Sequence, residues 1–157
     1  MKKILLIVTP VMLSSCYSYH LFPREYRDFE YNGEKKTAFV VNPELKKEYK
    51  ILKASGIFIL TSDSLDQNCL KIKLNPVRRN FVCGQPIIAS AFTLGQFPVY
   101  FPDIYLYGFE ELNNNGTISR DFKLEVSQRV WFWDMFAFNK KFKQKAGKAL
   151  LCNYYKE

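Results

Sequence analysis

Tyr105-Leu106-Tyr107-Gly108-Phe109-Glu110-Glu111-Leu112-Asn113-Asn114-Asn115-Gly116-Thr117-Ile118-Ser119-Arg120-Asp121-Phe122-Lys123-Leu124-Glu125-Val126 is the stretch that decides the fold. On either side of Asn115-Gly116 apolar and polar residues alternate, and a period of two sends alternate side chains to opposite faces of a strand. Asn-Gly accepts the positive φ angles of a tight type I′ turn, whose twist suits a hairpin. With that turn the spacing pairs Phe109 with Phe122, Tyr107 with Leu124, Tyr105 with Val126 and Glu111 with Arg120. Three apolar pairs and one pair of opposite charge follow from a single register. The centre of the molecule is therefore expected to be an antiparallel hairpin with one apolar face.

Upstream, Leu70, Ile72 and Leu74 alternate with Cys69, Lys71 and Lys73 in a half-buried strand. Asn75-Pro76-Val77 reads as a turn, and an antiparallel register centred on Pro76 pairs Leu74 with Arg78, Lys71 with Phe81 and Cys69 with Cys83. Opposed strand positions bring Cβ atoms to about 4.5–5.5 Å, near the reach of a disulfide. A Cys69–Cys83 bridge is expected, with Cys83–Cys152 as the competing pairing. Residues 37–41 carry strand signals. Asn42-Pro43-Glu44 then supplies an N-cap, a first-turn proline and a first-turn acid. Leu45, Tyr49 and Leu52 recur at helical spacing, Gly56 suits a left-handed helix stop, and residues 57–60 form a buried strand. Residues 63–68 read as a loop and residues 86–94 as a further apolar stretch, while Pro98 and Pro102 confine the next segment to an edge or an irregular crossing.

Downstream, residues 128–133 are the expected last strand and residues 136–155 the last helix. On that helix Phe138, Phe142, Ala146, Ala149, Leu150 and Asn153 share one side, while Lys140, Lys141, Lys143, Gln144 and Lys148 take the other. The fold class that results is α+β: a mainly antiparallel sheet, an early helix after the first strand, and a C-terminal amphipathic helix packed on one face.

The start of the chain has a different grammar. Lys2 and Lys3 precede an apolar run from Ile4 to Leu13, and Leu13-Ser14-Ser15-Cys16 follows. The run is half the roughly 20 residues needed to span a bilayer. The cations, the apolar run and the small residues together resemble a bacterial lipoprotein signal peptide, and the tetrapeptide resembles a lipobox. That resemblance covers only these sixteen residues. It implies cleavage before Cys16, diacylglycerol on its thiol and fatty acyl chains such as palmitate, which together make a lasting membrane anchor. Residues 1–15 are then a cleaved signal peptide, 16–34 a lipidated N-terminus and tether whose second half packs, and 35–157 a single globular domain. Tyr17 is not the aspartate that retains such proteins at the inner membrane of enteric-type bacteria. The class therefore implies an outer-membrane, periplasm-facing location, if the source is Gram-negative.

A hydrophobic fraction of 48% and an aromatic fraction of 17% supply an ample core. Loss of the leader removes Lys2 and Lys3 from the 23 cations and leaves all 15 acids, so the formal charge falls from +8 to about +6. In a cytoplasm that balance would point to nucleic acid. Export excludes it and leaves the membrane and envelope proteins or glycans as partners. Trp131, Phe132 and Trp133 in succession must serve both faces of a strand, which makes them a candidate interaction patch. Lys140, Lys141 and Lys143 are a candidate basic face toward anionic lipid, with Phe136, Phe138 and Phe142 dipping inward.

Catalytic residues are not expected. His20 is the lone histidine and stands four residues past Cys16, Glu110 and Glu111 fall on opposite faces, Asp63 and Asp66 are turn residues, and Cys152 sits where a helix end disfavours the thiolate. No Cys-x-x-Cys or phosphate loop is present, so no metal or cofactor is expected. The sequence points to a non-enzymatic accessory or protein-interaction lipoprotein, with a small-ligand or glycan-binding module as the alternative and a hydrolase third.

Overall fold

The structure, a computed structural model, describes residues 17–62, 69–80, 96–113, 116–131, 133–134 and 141–156. At its centre is the expected hairpin. Strands β6 (Val99–Asn113) and β7 (Gly116–Val130) pair from Val99 opposite Val130 to Asn113 opposite Gly116. The register is two residues from the one read off Asn115-Gly116, with Phe109 opposite Arg120, Tyr107 opposite Phe122 and Tyr105 opposite Leu124. A slip of two leaves every side chain on its own face. Tyr105, Tyr107, Phe109, Phe122, Leu124 and Val126 are accordingly all buried. Glu111 and Arg120 still bond, at 2.9 Å, but as diagonal neighbours rather than a directly opposed pair.

The described residues form one seven-stranded sheet. Strand β4 (Leu70–Leu74) lies along the other edge of β6, with Leu74 opposite Phe109, and β5 (Arg78–Asn80) continues down the same edge, with Arg78 opposite Leu106. Asn75-Pro76-Val77 is thus an interruption in one run, not a hairpin turn. Four steps on this side span three on β6, as at a bulge. The kink is held by the Asn75 amide on Gly108 O (3.0 Å) and the Val77 amide on Glu48 Oε1 (3.0 Å). The free edge of β4 is taken by β2 (Thr37–Val40). The register that set Cys69 against Cys83 is therefore not formed. Cys83 itself lies outside the described residues, as do residues 63–68 and 86–94.

Strand β2 runs parallel to both β4 and β3 (Ile59–Thr61), so the connection from β2 to β3 must cross over, which helix α2 (Lys46–Ser55) does. Gly56 ends α2 in the left-handed conformation, φ 65°, as expected. The helix starts later than expected, at Lys46 after Leu45. Asn42 does not cap it: its side chain brackets Leu74, with Nδ2 donating to Leu74 O and Leu74 N donating to Oδ1, both at 2.8 Å. An amide carries a donor and an acceptor side by side, so it extends the β2–β4 ladder beyond its last backbone pair. The stripe of α2 that is buried is Glu48, Ile51, Leu52 and Ser55, turned from the expected Leu45, Tyr49 and Leu52. Glu48 tolerates that position because its carboxylate receives the Val77 amide.

Residues 17–34, expected to be a tether whose second half packs, are packed in the first half as well: β1 (Tyr17–His20) adds antiparallel to β7, Leu21 is buried in the core, a one-turn helix α1 (Arg24–Asp28) comes next, and Phe29 and Tyr31 stack on Tyr155. The order across the sheet is β1-β7-β6-β4-β2-β3, with β5 beside β6. The last helix is α3 (Phe142–Lys156), with Lys141 before it at positive φ; the earlier part of the stretch expected to be helical, residues 136–140, lies outside the described residues. Its stripe of Ala146, Gly147, Ala149, Leu150 and Cys152 is buried between β7 and α2. Both long helices cover the face that carries Tyr105, Tyr107 and Phe109, and the Tyr107 hydroxyl donates to Glu48 O at 3.1 Å. No helix among the described residues is long and apolar enough to cross a membrane.

Where α2 and α3 cross, a Cβ on Gly147 would stand 2.7 Å from backbone atoms of Ala54 and Ser55. Gly147→Ala should therefore force the helices apart and cost about 1–3 kcal/mol despite the better helix propensity of alanine. The urea midpoint of the purified protein measures it.

Candidate functional site at the β1 edge of the sheet

Pairing with β7 sets Ser18 beside Arg129 and His20 beside Ser127, on the face opposite the helices. Around them runs a chain of polar contacts. Arg129 grips Asp134 with two nitrogens, Nη2 on Oδ1 at 2.5 Å and Nε on Oδ2 at 3.0 Å. Ser18 Oγ donates to the same Oδ2 at 3.0 Å and stands 2.9 Å from His20 Nε2. Asp134 is 2% exposed, so its charge is carried by Arg129 and Ser18 rather than by water. The Asp134 amide on Trp131 O (3.0 Å) turns the chain back over the sheet and delivers the carboxylate to this place.

Serine, histidine and aspartate together invite comparison with a nucleophilic triad, but the proton order is wrong. In a triad histidine stands between serine and carboxylate and takes the serine proton. Here serine stands in the middle and its single hydrogen goes to Asp134, so the ring nitrogen facing Oγ is the donor. Burial, and then the positive charges of Arg129 and Lys145, hold the His20 pKa below its ordinary 6.5, with Asp134 opposing. A neutral ring that donates to Ser18 suits this chain as a positioning device. It ties β1, β7 and the turn at Trp131 into one unit.

Beside the chain lies an open groove of about 700 Å³, lined by Phe22, Pro23, Tyr100, Pro102, Ile104 and Ser127 among others. The Tyr100 ring meets Phe22 edge-on (5.0 Å between centroids) and His20 likewise (5.9 Å). On the opposite face a second ion pair, Arg79 Nη2 to Asp103 Oδ2 at 2.6 Å, also takes the Tyr105 hydroxyl at 3.3 Å. Burial and the Asp103 charge push the Tyr105 phenol up, so it remains a proton donor there.

The residues singled out from sequence scatter differently. Trp131 and Trp133 are not on a strand: β7 ends at Val130, and the two residues lie in the turn beyond it. The expectation that a strand would divide Trp131, Phe132 and Trp133 between two faces therefore fails, and Phe132 lies outside the described residues. Trp131 donates its Nε1 to Gln96 O at 3.0 Å under the Arg129 guanidinium, while Trp133 is 57% exposed. Lys141 and Lys143 are exposed, and Lys140 lies outside the described residues. Phe142, on the helix face expected to pack on the sheet, lies between Tyr19 (4.9 Å) and Tyr105 (4.8 Å), so the alternative in which its ring dips into lipid is not realised. The apolar face of α3 is thus occupied by the protein's own core. Glu110 pairs with Lys73 on the outer face, whereas Glu111 pairs with Arg120 on the inner one. Asp63, Asp66 and Cys16 lie outside the described residues. Among the described residues no group of three His, Cys, Asp or Glu could hold a metal ion.

One signal for this site was present in the sequence. Tyr17-Ser18-Tyr19-His20 alternates aromatic and polar residues with the strand period of two. Its closeness to the cysteine hid that pattern. No family model matches the chain, and no curated protein matches it.

With one histidine in the chain, an imidazole NMR titration reads this site alone. Its midpoint should fall below 6.5. The unfolded chain then takes up a proton that the folded one resists, so stability is lost as pH drops through about 6.5 and below. His20→Gln should flatten that part of the urea-midpoint profile. Cys152 is fully buried and burial raises its pKa, so peptide-resolved alkylation should find it at least about a hundredfold slower in folded than in unfolded protein.

Proposed function

We propose that this chain is a lipid-anchored envelope lipoprotein, non-enzymatic, that acts as an accessory or protein-interaction module on the periplasmic side of the outer membrane. The observation that carries the reading is Leu13-Ser14-Ser15-Cys16 after Lys2, Lys3 and a short apolar run. The proton order at Ser18, His20 and Asp134 favours a binding or structural role over hydrolysis.

A small-ligand or glycan-binding lipoprotein is the second reading, favoured by the groove beside Tyr100 and Phe22. An aromatic face with adjacent polar groups can stack on a sugar ring. A thermal shift with peptidoglycan fragments that Tyr100→Ala removes would support this reading over the first.

The anchor is tested by growth with an alkyne-bearing palmitate analogue. The mature protein should carry the label at an N-terminal Cys16, and Cys16→Ser should lose the label and retain residues 1–15. A labelled Cys16→Ser variant, or an unlabelled parent, would reject the proposal.

A further inference from the structure

We infer that the end of the sheet where β1 begins is a lipid-facing surface, with Trp131, Trp133 and Phe97 seated among the headgroups. The inference rests on the lipid attachment proposed at Cys16. Tyr17, the first residue of β1, is already paired with Val130, which is itself paired with Val99. No slack separates the cysteine from the sheet. One residue of chain spans at most about 3.6 Å, so acyl chains on Cys16 would bring this end, and no other part of the domain, against the leaflet.

The side chains gathered at that end suit such a neighbour. Phe97 is 69% exposed and Trp133 57%, among the most exposed large apolar residues described. Gln96, next to Phe97, accepts the Trp131 indole, and Trp133 adjoins Asp134, which Ser18 holds. Three large rings from two loops thus converge within a few residues of the strand that leaves for Cys16. Tryptophan prefers the headgroup level, where its ring is shielded and its N–H still finds a partner. Lys141 and Lys143 are exposed and flank Phe142, whose ring packs on Tyr19 of the same strand, so two cations adjoin that contact and favour anionic lipid. Lys141 and Lys143 of the basic face read from the sequence thus belong to this surface, while the apolar side of α3 is buried in the core and does not meet lipid.

Trp131 and Trp133 are the chain's only tryptophans, so tryptophan emission, excited at the red edge where the 10 tyrosines absorb little, reports this end alone. The full chain, expressed with its leader and purified in lipidated form, is placed in vesicles of phosphatidylcholine and phosphatidylglycerol, with or without phosphatidylcholine brominated high on the acyl chain. The protein should float with the vesicles, its emission should shift to the blue, and bromine should quench it roughly twofold or more. Phe97→Asp with Trp133→Asp, at exposed positions, should still float while quenching of Trp131 falls to the level of a water-soluble indole. Flotation without quenching of the parent would overturn the lipid-facing surface and leave the anchor standing; emission that instead changes with protein concentration would assign the surface to a second copy. Unchanged quenching in the double variant would also overturn it. Failure to float would remove the anchor and the inference with it.

Discussion

The ladder between β6 and β7 is the constraint on which the rest of this structure depends. Fifteen consecutive pairs run from Asn113 opposite Gly116 to Val99 opposite Val130, and every other part of the sheet is attached to one of its two outer edges. On one edge β4 and β5 follow β6 in turn; on the other β1 follows the last four residues of β7. The long pairing also builds the core. Phe109 meets Phe122 at 5.7 Å and Tyr154 at 6.3 Å, and Phe58 edge-on at 6.1 Å, so strands and helices share one aromatic cluster. Fully burying a ring of this size contributes about 1.5–3 kcal/mol, and contacts with β7, with α3 and with Phe58 in the segment after α2 carry that gain.

The two faces of this sheet have become different in kind. The inner face is closed by α2 and α3, whose approach is close enough to require Gly147. The outer face keeps the alternation of a solvated antiparallel sheet, with Lys73 and Glu110 paired across it. Toward the β1 end that simple division breaks down. Asp134 is buried on the outer side by a turn, Arg129 and Ser18 neutralise it, and Tyr100, Phe22 and His20 line up beside it. On the outer face the buried charge is Asp134, beside β1, whereas Glu48, Asp103 and Glu111 are buried on the side of the helices.

Sequence reasoning was strongest where a side-chain period recurred. The hairpin, the β4 alternation, the crossover helix with its Gly56 stop, and the buried stripe of α3 were all legible, because burial on one face leaves a mark every two or every three to four residues. It was weakest where two arrangements bury the same residues. The β6–β7 register differs by two from the Asn115-Gly116 reading for that reason, and Asn75-Pro76-Val77 resembles a turn whether the chain reverses or merely bulges. The Ser18–His20–Asp134–Arg129 chain brings together residues up to 116 positions apart, and no local pattern announces such a meeting.

By itself the sequence determined the α+β class, which faces of the central strands are apolar, and the leader-like pattern with its cysteine, since each of these is written in neighbouring residues. Only the tertiary structure decided that residues 17–20 are a sheet edge rather than a tether, that Phe142 belongs to the core, and that Trp131 and Trp133 sit in a turn at the end of β7. The physical reason is the same in all three cases. Whether an aromatic side chain is covered depends on which distant surface reaches it, and that is settled by backbone pairing and helix packing across the whole chain.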